Sequence, residues 1–219
     1  MYKVIDIISN GGGNFILRVE RNNLSFIPGQ FFSLGIPGIP INREYSVTSS
    51  LNDIHLDFLI REVEDGTLSS KLRKLKKNDE IKILGPFGEF YLKKMDFKKK
   101  YIFIASGTGI APFISIIKSN QNLDYELFHG VRNFEDIYHD RIIKNYTVFI
   151  SRNKRDISKK ITHKHFNGRI TENFDFLQKY IKQEYLYFIC GNSSMVSDMY
   201  DFLEKNKITS NKIFTELFF

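Results

Sequence analysis

At 219 residues, with 42% hydrophobic and 26% charged residues, the chain has the make-up of a soluble globular protein, with room for one large domain or two of about a hundred residues each. The formal net charge of +7 permits acidic partners, and the single cysteine excludes an internal disulfide and a four-cysteine iron–sulfur cluster while fitting a reducing compartment. No apolar run reaches the about 18 residues of a membrane span, and Met1-Tyr2-Lys3-Val4 carries no signal pattern, so a cytoplasmic protein is expected. With 21 Phe, 11 Tyr and no Trp, its core should be rich in phenylalanine.

The first half reads as short strands and turns. Val4–Ile8 and Phe15–Val19 alternate in polarity around Asn10-Gly11-Gly12-Gly13-Asn14, which predicts a hairpin. Strands are expected at Gln30–Leu34 after Pro28-Gly29, at Arg43–Thr48, at Ile54–Ile60 and at Ile81–Leu84, the last closed by Gly85-Pro86-Phe87-Gly88. Between them Leu68, Leu72 and Leu75 share one face of a short helix over Leu68–Leu75, which Thr67 or Ser69 could cap. Many short strands with regular turns predict a small antiparallel β-barrel.

After Lys100 the pattern changes. Strands at Tyr101–Ala105, Tyr125–His129, Thr147–Ser151, Tyr185–Cys190 and Lys212–Thr215 alternate with helices at Ala111–Lys118, Asn173–Ile181 and Ser193–Lys205. Such alternation means an α/β domain with a parallel sheet. The domain boundary is expected in the lysine-rich stretch from 93 to 100, giving domains of 1–95 and 96–219.

Strand, glycine turn and helix follow one another at Tyr101-Ile-Phe-Ile-Ala-Ser106-Gly107-Thr108-Gly109-Ile-Ala111-Pro112-Phe113, an arrangement that offers backbone N–H groups to a phosphate. It is neither the dinucleotide fingerprint nor a P-loop, and alone it could be a tight turn. In open parallel sheets ligands bind beyond the carboxyl ends of the strands. Gly107–Gly109, Arg132, Ser151-Arg152 and Cys190-Gly191-Asn192 should therefore gather on one rim, near Arg169, and suit a phosphorylated ligand. In the first half, Arg43 and Tyr45 share one face of a strand opposite Glu44 and Ser46. That pair can supply a guanidinium fork for phosphate and a ring to stack on, or else an edge-strand salt bridge beside a core tyrosine. Gly66-Thr67-Leu68-Ser69 opens a helix, either as an anion seat or as a plain start. The five histidines, including His163 and His165, lack the partners of a metal site, and no hydrolase motif is present.

The ordered set Arg43-x-Tyr45-Ser46, Gly66-x-x-Ser69, Gly107-Thr108-Gly109-x-Ala111-Pro112, Arg132, Ser151-Arg152, Cys190-Gly191-Asn192 and Glu216-Leu217-Phe218-Phe219 resembles the ferredoxin–NADP reductase family, in its FAD-containing bacterial form, over almost the whole chain. The resemblance implies an FAD-binding antiparallel barrel followed by an NADP-binding α/β domain. It implies that Arg43, Glu44, Tyr45 and Ser46 hold FAD together with Leu59, the Gly66-Thr67-Leu68-Ser69 turn, Thr108, Phe218 and Phe219. Gly107, Thr108, Gly109, Arg132, Ser151, Arg152, Arg169, Cys190 and Gly191 match positions that hold NADP. Phe219 stands where the family often has Tyr or Trp, and keeps a ring face for the flavin or its adenine.

By the same resemblance Ser46, Cys190 and Glu216 are the catalytic residues, Ser46 near flavin N5 and Cys190 near nicotinamide C4, with Cys190 acting by packing and polarity. The expected activity is hydride transfer between NADP(H) and flavin, followed by single-electron exchange with ferredoxin or flavodoxin, a small acidic redox protein. An NAD(P)H-dependent flavin reductase or the reductase component of an oxygenase is the nearest alternative. A monomer with no membrane or nucleic-acid partner is expected. A colourless basic module that binds nucleic acid with salt-sensitive affinity is the reading from another class.

Overall fold

A computed structural model describes residues 1–93, 99–138, 143–152 and 163–218. The chain divides into two compact units, Met1–Lys93 with Ala111–Gln121, and Lys94–Ile110 with Asn122–Phe219.

The first unit contains strands β1 (Tyr2–Gly11), β2 (Asn14–Glu20), β3 (Phe31–Gly35), β4 (Asn42–Ser46), β5 (His55–Arg61) and β6 (Glu80–Phe87), with helix α1 (Ser69–Arg73) between the last two. They form one antiparallel sheet in the order β4-β3-β6-β1-β2-β5. Its two ends meet where Val47 bridges Phe58 and the Thr48 N–H donates to the Asp57 carbonyl (2.8 Å), so the sheet closes into the expected barrel. Closure removes the free edges that an open sheet would leave. Alternation does the packing: Phe15, Leu17 and Val19 of β2 are fully buried, and meet Phe32, Leu34, Leu56, Phe58 and Ile60 inside. Burying a side chain of this size contributes roughly 1.5–3 kcal/mol.

Helix α1 is only five residues long, shorter than the expected Leu68–Leu75, yet Leu68 and Leu72 do join the barrel core. Its N-cap is Leu68 and no side chain caps it. The expected cap fails because the Ser69 hydroxyl instead accepts from the Val63 N–H (3.1 Å).

Helix α2 (Ala111–Ser119) belongs to this unit as well, although the sequence reading places everything after 95 in the second domain. Its Ser115 hydroxyl donates to the Ser49 carbonyl (2.7 Å), and Phe113 packs on Phe90 at 5.7 Å between ring centroids. Contacts between segments far apart in sequence, which a single boundary cannot represent, make this grouping.

The second unit holds β7 (Tyr101–Ser106), β8 (Tyr125–Val131), β9 (Tyr146–Ile150), β10 (Lys164–Asn167), β11 (Leu186–Gly191) and β12 (Ile213–Leu217), with helices α3 (Phe174–Leu177) and α4 (Ser193–Lys205). The six strands are all parallel, in the order β10-β9-β8-β7-β11-β12. Ile102 and Ile104 of β7 face a core shared with Leu177, Met195, Val196 and Met199. Tyr101 and Phe103 stack with each other and pack on Phe188.

Strand β10 is absent from the sequence reading, because Lys164-His165-Phe166-Asn167 has one apolar residue and no alternation. It forms because β9 has an open edge and Phe166 stacks on Phe149 (5.3 Å). The helix expected over Asn173–Ile181 is α3 followed by a 3-10 turn at Gln178–Tyr180. It stops where the Tyr187 hydroxyl donates to the Tyr180 carbonyl (3.1 Å) and accepts from the Lys182 N–H (2.7 Å). Among the described residues no helix is long and apolar enough to cross a membrane.

Candidate functional site

Chain order in the parallel sheet reverses between β7 and β11: β8, β9 and β10 lie to one side of β7, while β11 and β12 lie to the other. The crevice beyond the carboxyl ends of two such strands is where open α/β sheets bind ligands. The register pairs Cys190 with Ala105, which sets Gly191-Asn192 beside Ser106-Gly107. A 3-10 turn over Gly107–Ile110 follows β7 directly.

Contact here is close enough to require glycine. A Cβ on Gly109 would overlap the Cys190 carbonyl, and one on Gly191 would overlap the Ser106 hydroxyl. The Asn192 N–H (3.1 Å) and side-chain amide (2.8 Å) both donate to the Ser106 hydroxyl, and the Asn192 side-chain oxygen caps α4 by accepting from the Met195 N–H (3.0 Å). Thr108, on the open turn, is half-buried.

The third strand of the crevice is β12, whose Glu216 pairs in register with Cys190. The Cys190 thiol is fully buried and points to the Glu216 carboxylate (S to O 3.9 Å). Burial, reinforced by that carboxylate, pushes the thiol pKa well above its ordinary value. A thiol held protonated in this way is a packing and hydrogen-bonding group and not a nucleophile. The Phe218 N–H donates to the Gly191 carbonyl (2.8 Å), so the C-terminal segment stays beside β11. Phe219 lies outside the described residues.

Farther along the same rim, hydrogen bonds continue past the ends of β8, β9 and β10. The Arg152 N–H donates to the Arg132 carbonyl (2.8 Å), the Ser151 N–H to the Val131 carbonyl (3.0 Å) and the Gly168 N–H to the Ile150 carbonyl (2.9 Å). Arg132, Ser151, Arg152 and Arg169 are thus brought to neighbouring positions, all of them exposed. The Arg169 N–H donates to the Glu172 carboxylate (2.8 Å), which fixes the backbone while Arg169 itself stays exposed.

In the barrel unit, β4 grows more buried along its length, from exposed Arg43 and Glu44 through half-buried Tyr45 to buried Ser46. The Arg43 guanidinium donates to the Asn42 carbonyl (3.1 Å), and among the described residues no carboxylate pairs with it. Burial raises the Tyr45 phenol to about 12 in spite of the opposing charge of Arg43. Ser46 is 2% exposed, and its hydroxyl has no hydrogen-bond partner among the described residues. A buried polar atom left in this state costs about 1–3 kcal/mol, so it fits a position that a ligand's polar atom completes. Leu59 is buried on β5. At the Gly66-Thr67-Leu68-Ser69 turn, Thr67 is exposed while Leu68 and Ser69 are buried.

One residue of the second unit escapes the sequence reading as a site residue. His129, on β8, is buried beneath the glycine turn with its Nε2 2.8 Å from the Gly107 carbonyl and its Nδ1 2.6 Å from the Tyr146 hydroxyl. Desolvation lowers its pKa to about 4, against the pull of the Gly107 carbonyl. Burial raises the Tyr146 phenol in turn. The signal available in the sequence was a histidine directly after Leu127-Phe128 in a strand whose other residues are mostly apolar.

Comparison with known proteins also separates the chain into two parts, although the second match runs straight through α2. Residues 6–91 match the oxidoreductase FAD-binding domain family, and residues 103–201 match the oxidoreductase NAD-binding domain family. The toluate 1,2-dioxygenase electron transfer component of Pseudomonas putida is 36% identical over 127 residues, covering 56% of this chain and 37% of that protein. Flavodoxin/ferredoxin–NADP reductase of Buchnera aphidicola subsp. Baizongia pistaciae is 29% identical, covering 94% of this chain and 90% of its own length. The chain spans only 36–41% of the length of three of the curated relatives that it matches. In fold, it superposes on a ferredoxin NADP+ reductase from Neisseria gonorrhoeae, solved with bound FAD and NADP, with a TM-score of 0.83 at 22% identity, covering 100% of this chain and 98% of that one.

Proposed function

This chain belongs to the ferredoxin–NADP reductase family of oxidoreductases, and on that premise we propose that it is a cytoplasmic, monomeric ferredoxin/flavodoxin–NADP reductase. The observation that carries the reading is the crevice at the reversal of strand order, where Ser106–Gly109 meets Cys190–Asn192 on the rim that also bears Arg132, Arg152 and Arg169. A dinucleotide phosphate needs close backbone approach at its pyrophosphate and cations at its adenosine end, and this rim supplies both.

In the first unit Arg43 serves as the fork for the FAD pyrophosphate, the Tyr45 ring as a stacking surface, and the Ser46 hydroxyl as a donor to the flavin. Glu44, Leu59 and the Gly66–Ser69 turn complete that seat on the resemblance of their positions, and the same resemblance assigns Thr108, Phe218 and Phe219 to FAD. Bound FAD would supply the chemistry of accepting a hydride from nicotinamide and releasing electrons singly to a small acidic redox protein.

The protein's own contribution is orientation and exclusion of water. Cys190 offers a neutral, polarisable wall, and its thiol proton stays in place because burial and Glu216 oppose ionisation. Glu216 in turn holds that thiol and supplies negative charge near the nicotinamide position. Arg132, Ser151, Arg152 and Arg169 bind the adenosine 2′-phosphate, which makes NADPH the preferred dinucleotide.

A second reading, the reductase component of an oxygenase, is favoured by the 36% identity to the dioxygenase electron transfer component. The purified protein should be yellow with one FAD per chain, and should bleach on adding NADPH without oxygen. A colourless protein that cannot be reconstituted with FAD would end both readings. Reoxidation by ferredoxin or flavodoxin, weakening with ionic strength, separates the first from the second.

A further inference from the structure

We propose that His129, supported by Tyr146, is a positioning residue of the dinucleotide site: it pins the Gly107 carbonyl and so aims the glycine turn's next N–H at the ligand. The inference rests on the functional reading above and adds to it a residue outside the binding surface.

Both nitrogens of the imidazole are engaged. The Gly107 carbonyl can only accept, so Nε2, 2.8 Å away, carries the proton. In the neutral ring Nδ1 is then an acceptor, and the Tyr146 hydroxyl at 2.6 Å donates to it. The main chain of Tyr138 hydrogen-bonds the Tyr146 oxygen in its turn. A single direction of donation therefore runs from Tyr138 through Tyr146 and His129 to Gly107, and only one tautomer satisfies it. The histidine is 1% exposed, so a wrong tautomer would leave buried groups unpaired.

The consequence at the turn follows from the planar trans peptide, whose C=O and N–H point in opposite directions. Holding the Gly107 carbonyl toward the sheet turns the Thr108 N–H the other way. Gly107 lies at φ +54°, and a Cβ built on it would meet nothing within 4 Å, so this side of the turn is open to a ligand. Without the imidazole that carbonyl would be held only through the 3-10 turn itself, and glycine's wide range of ψ would let the peptide between Gly107 and Thr108 tilt away from this orientation. The register, Ala105 opposite His129 and Ser106 opposite Gly130, places the imidazole one strand over from the turn it supports.

A histidine that merely fills the core would affect stability but not one part of one ligand. The test therefore measures FAD-loaded protein by calorimetry with two probes, NADP+ and adenosine 2′-phosphate, which lacks both the pyrophosphate and the nicotinamide half. His129→Phe fills the space without a donor and should weaken NADP+ binding about 10- to 50-fold, leaving the monophosphate within about twofold. His129→Gln, which retains an N–H donor, should recover most of the loss. Tyr146→Phe leaves Nε2 in place but frees the tautomer, and should weaken NADP+ about two- to fivefold; it decides the matter if His129→Phe does not fold. Unchanged NADP+ affinity in the variants, or an equal loss for both probes, overturns the proposal. Failure of the yellow wild-type protein to bind NADP+ at all would overturn the functional reading and this inference with it.

Discussion

Ser46 in the barrel and His129 in the parallel sheet are both polar side chains within 2% of complete burial, yet they are treated oppositely. Ser46 has no partner for its hydroxyl, whereas both nitrogens of His129 are engaged. A buried group without a partner costs stability and is retained where something else completes it; a buried group with every bond made rigidifies what it touches. The barrel therefore presents an unfinished surface, and the parallel sheet a finished support beneath one. The difference matters for engineering, since removing the first kind of residue leaves the fold intact, while removing the second loosens the segment that it holds.

The largest expected effect tests the support. Because the pKa of His129 is depressed to about 4 in the folded state, the unfolded chain takes up the extra proton first as pH falls. Its contribution to stability is whole above pH 6.5 and is lost progressively as pH drops to about 4. At about 1.36 kcal/mol per pKa unit, the loss amounts to roughly 3 kcal/mol. Urea unfolding of wild type and His129→Gln across this range should show the wild-type advantage shrinking by that amount. Parallel curves would mean that His129 titrates normally and that the support is not built as described.

An intermediate effect concerns the rim. On the proposed reading, Arg152→Ala removes one charge-assisted contact, worth roughly 1.5–3 kcal/mol, so the preference for NADPH over NADH should fall by about one to two orders of magnitude. Most of the change should appear as a higher KM for NADPH. An equal loss with both dinucleotides would assign Arg152 to the shared part of the ligand or to folding.

The smallest effect tests the unfinished surface. Ser46→Ala discards a hydroxyl that lacks a partner, so the FAD-free protein should be as stable as wild type or more stable by about 1 kcal/mol. Reduction of bound flavin by NADPH should slow at the same time. A Ser46→Ala protein that loses stability without FAD would show that the hydroxyl is already satisfied, and the contrast with His129 would collapse.

Much of this architecture is legible in the chain itself. The alternating Phe15–Val19 segment and the predicted Ser193–Lys205 helix, which matches α4 end to end, carry their periodicity locally. Other elements are not local. Strand β10 exists because β9 offers an edge, the 3-10 turn that follows α3 ends where the Tyr187 hydroxyl takes the Tyr180 carbonyl, and α2 groups with the barrel through Ser115 and Phe113. The barrel and the rim follow from strand and turn signals, but Ser69 prefers the Val63 N–H to the cap that its position suggests.

The sequence by itself determined an antiparallel barrel before a parallel α/β sheet, the glycine turn after β7, and the arginines at the ends of later strands. Each of these depends on periodicity or turn chemistry within a few residues. Only the tertiary structure decided that Gly191 abuts Ser106, that Ser46 is buried without a partner, and that His129 reaches a carbonyl 22 residues before it and a hydroxyl 17 residues after it. The physical reason is that a side chain's hydrogen-bond partners are set by strand order and register, and those are settled by burial of the whole sheet.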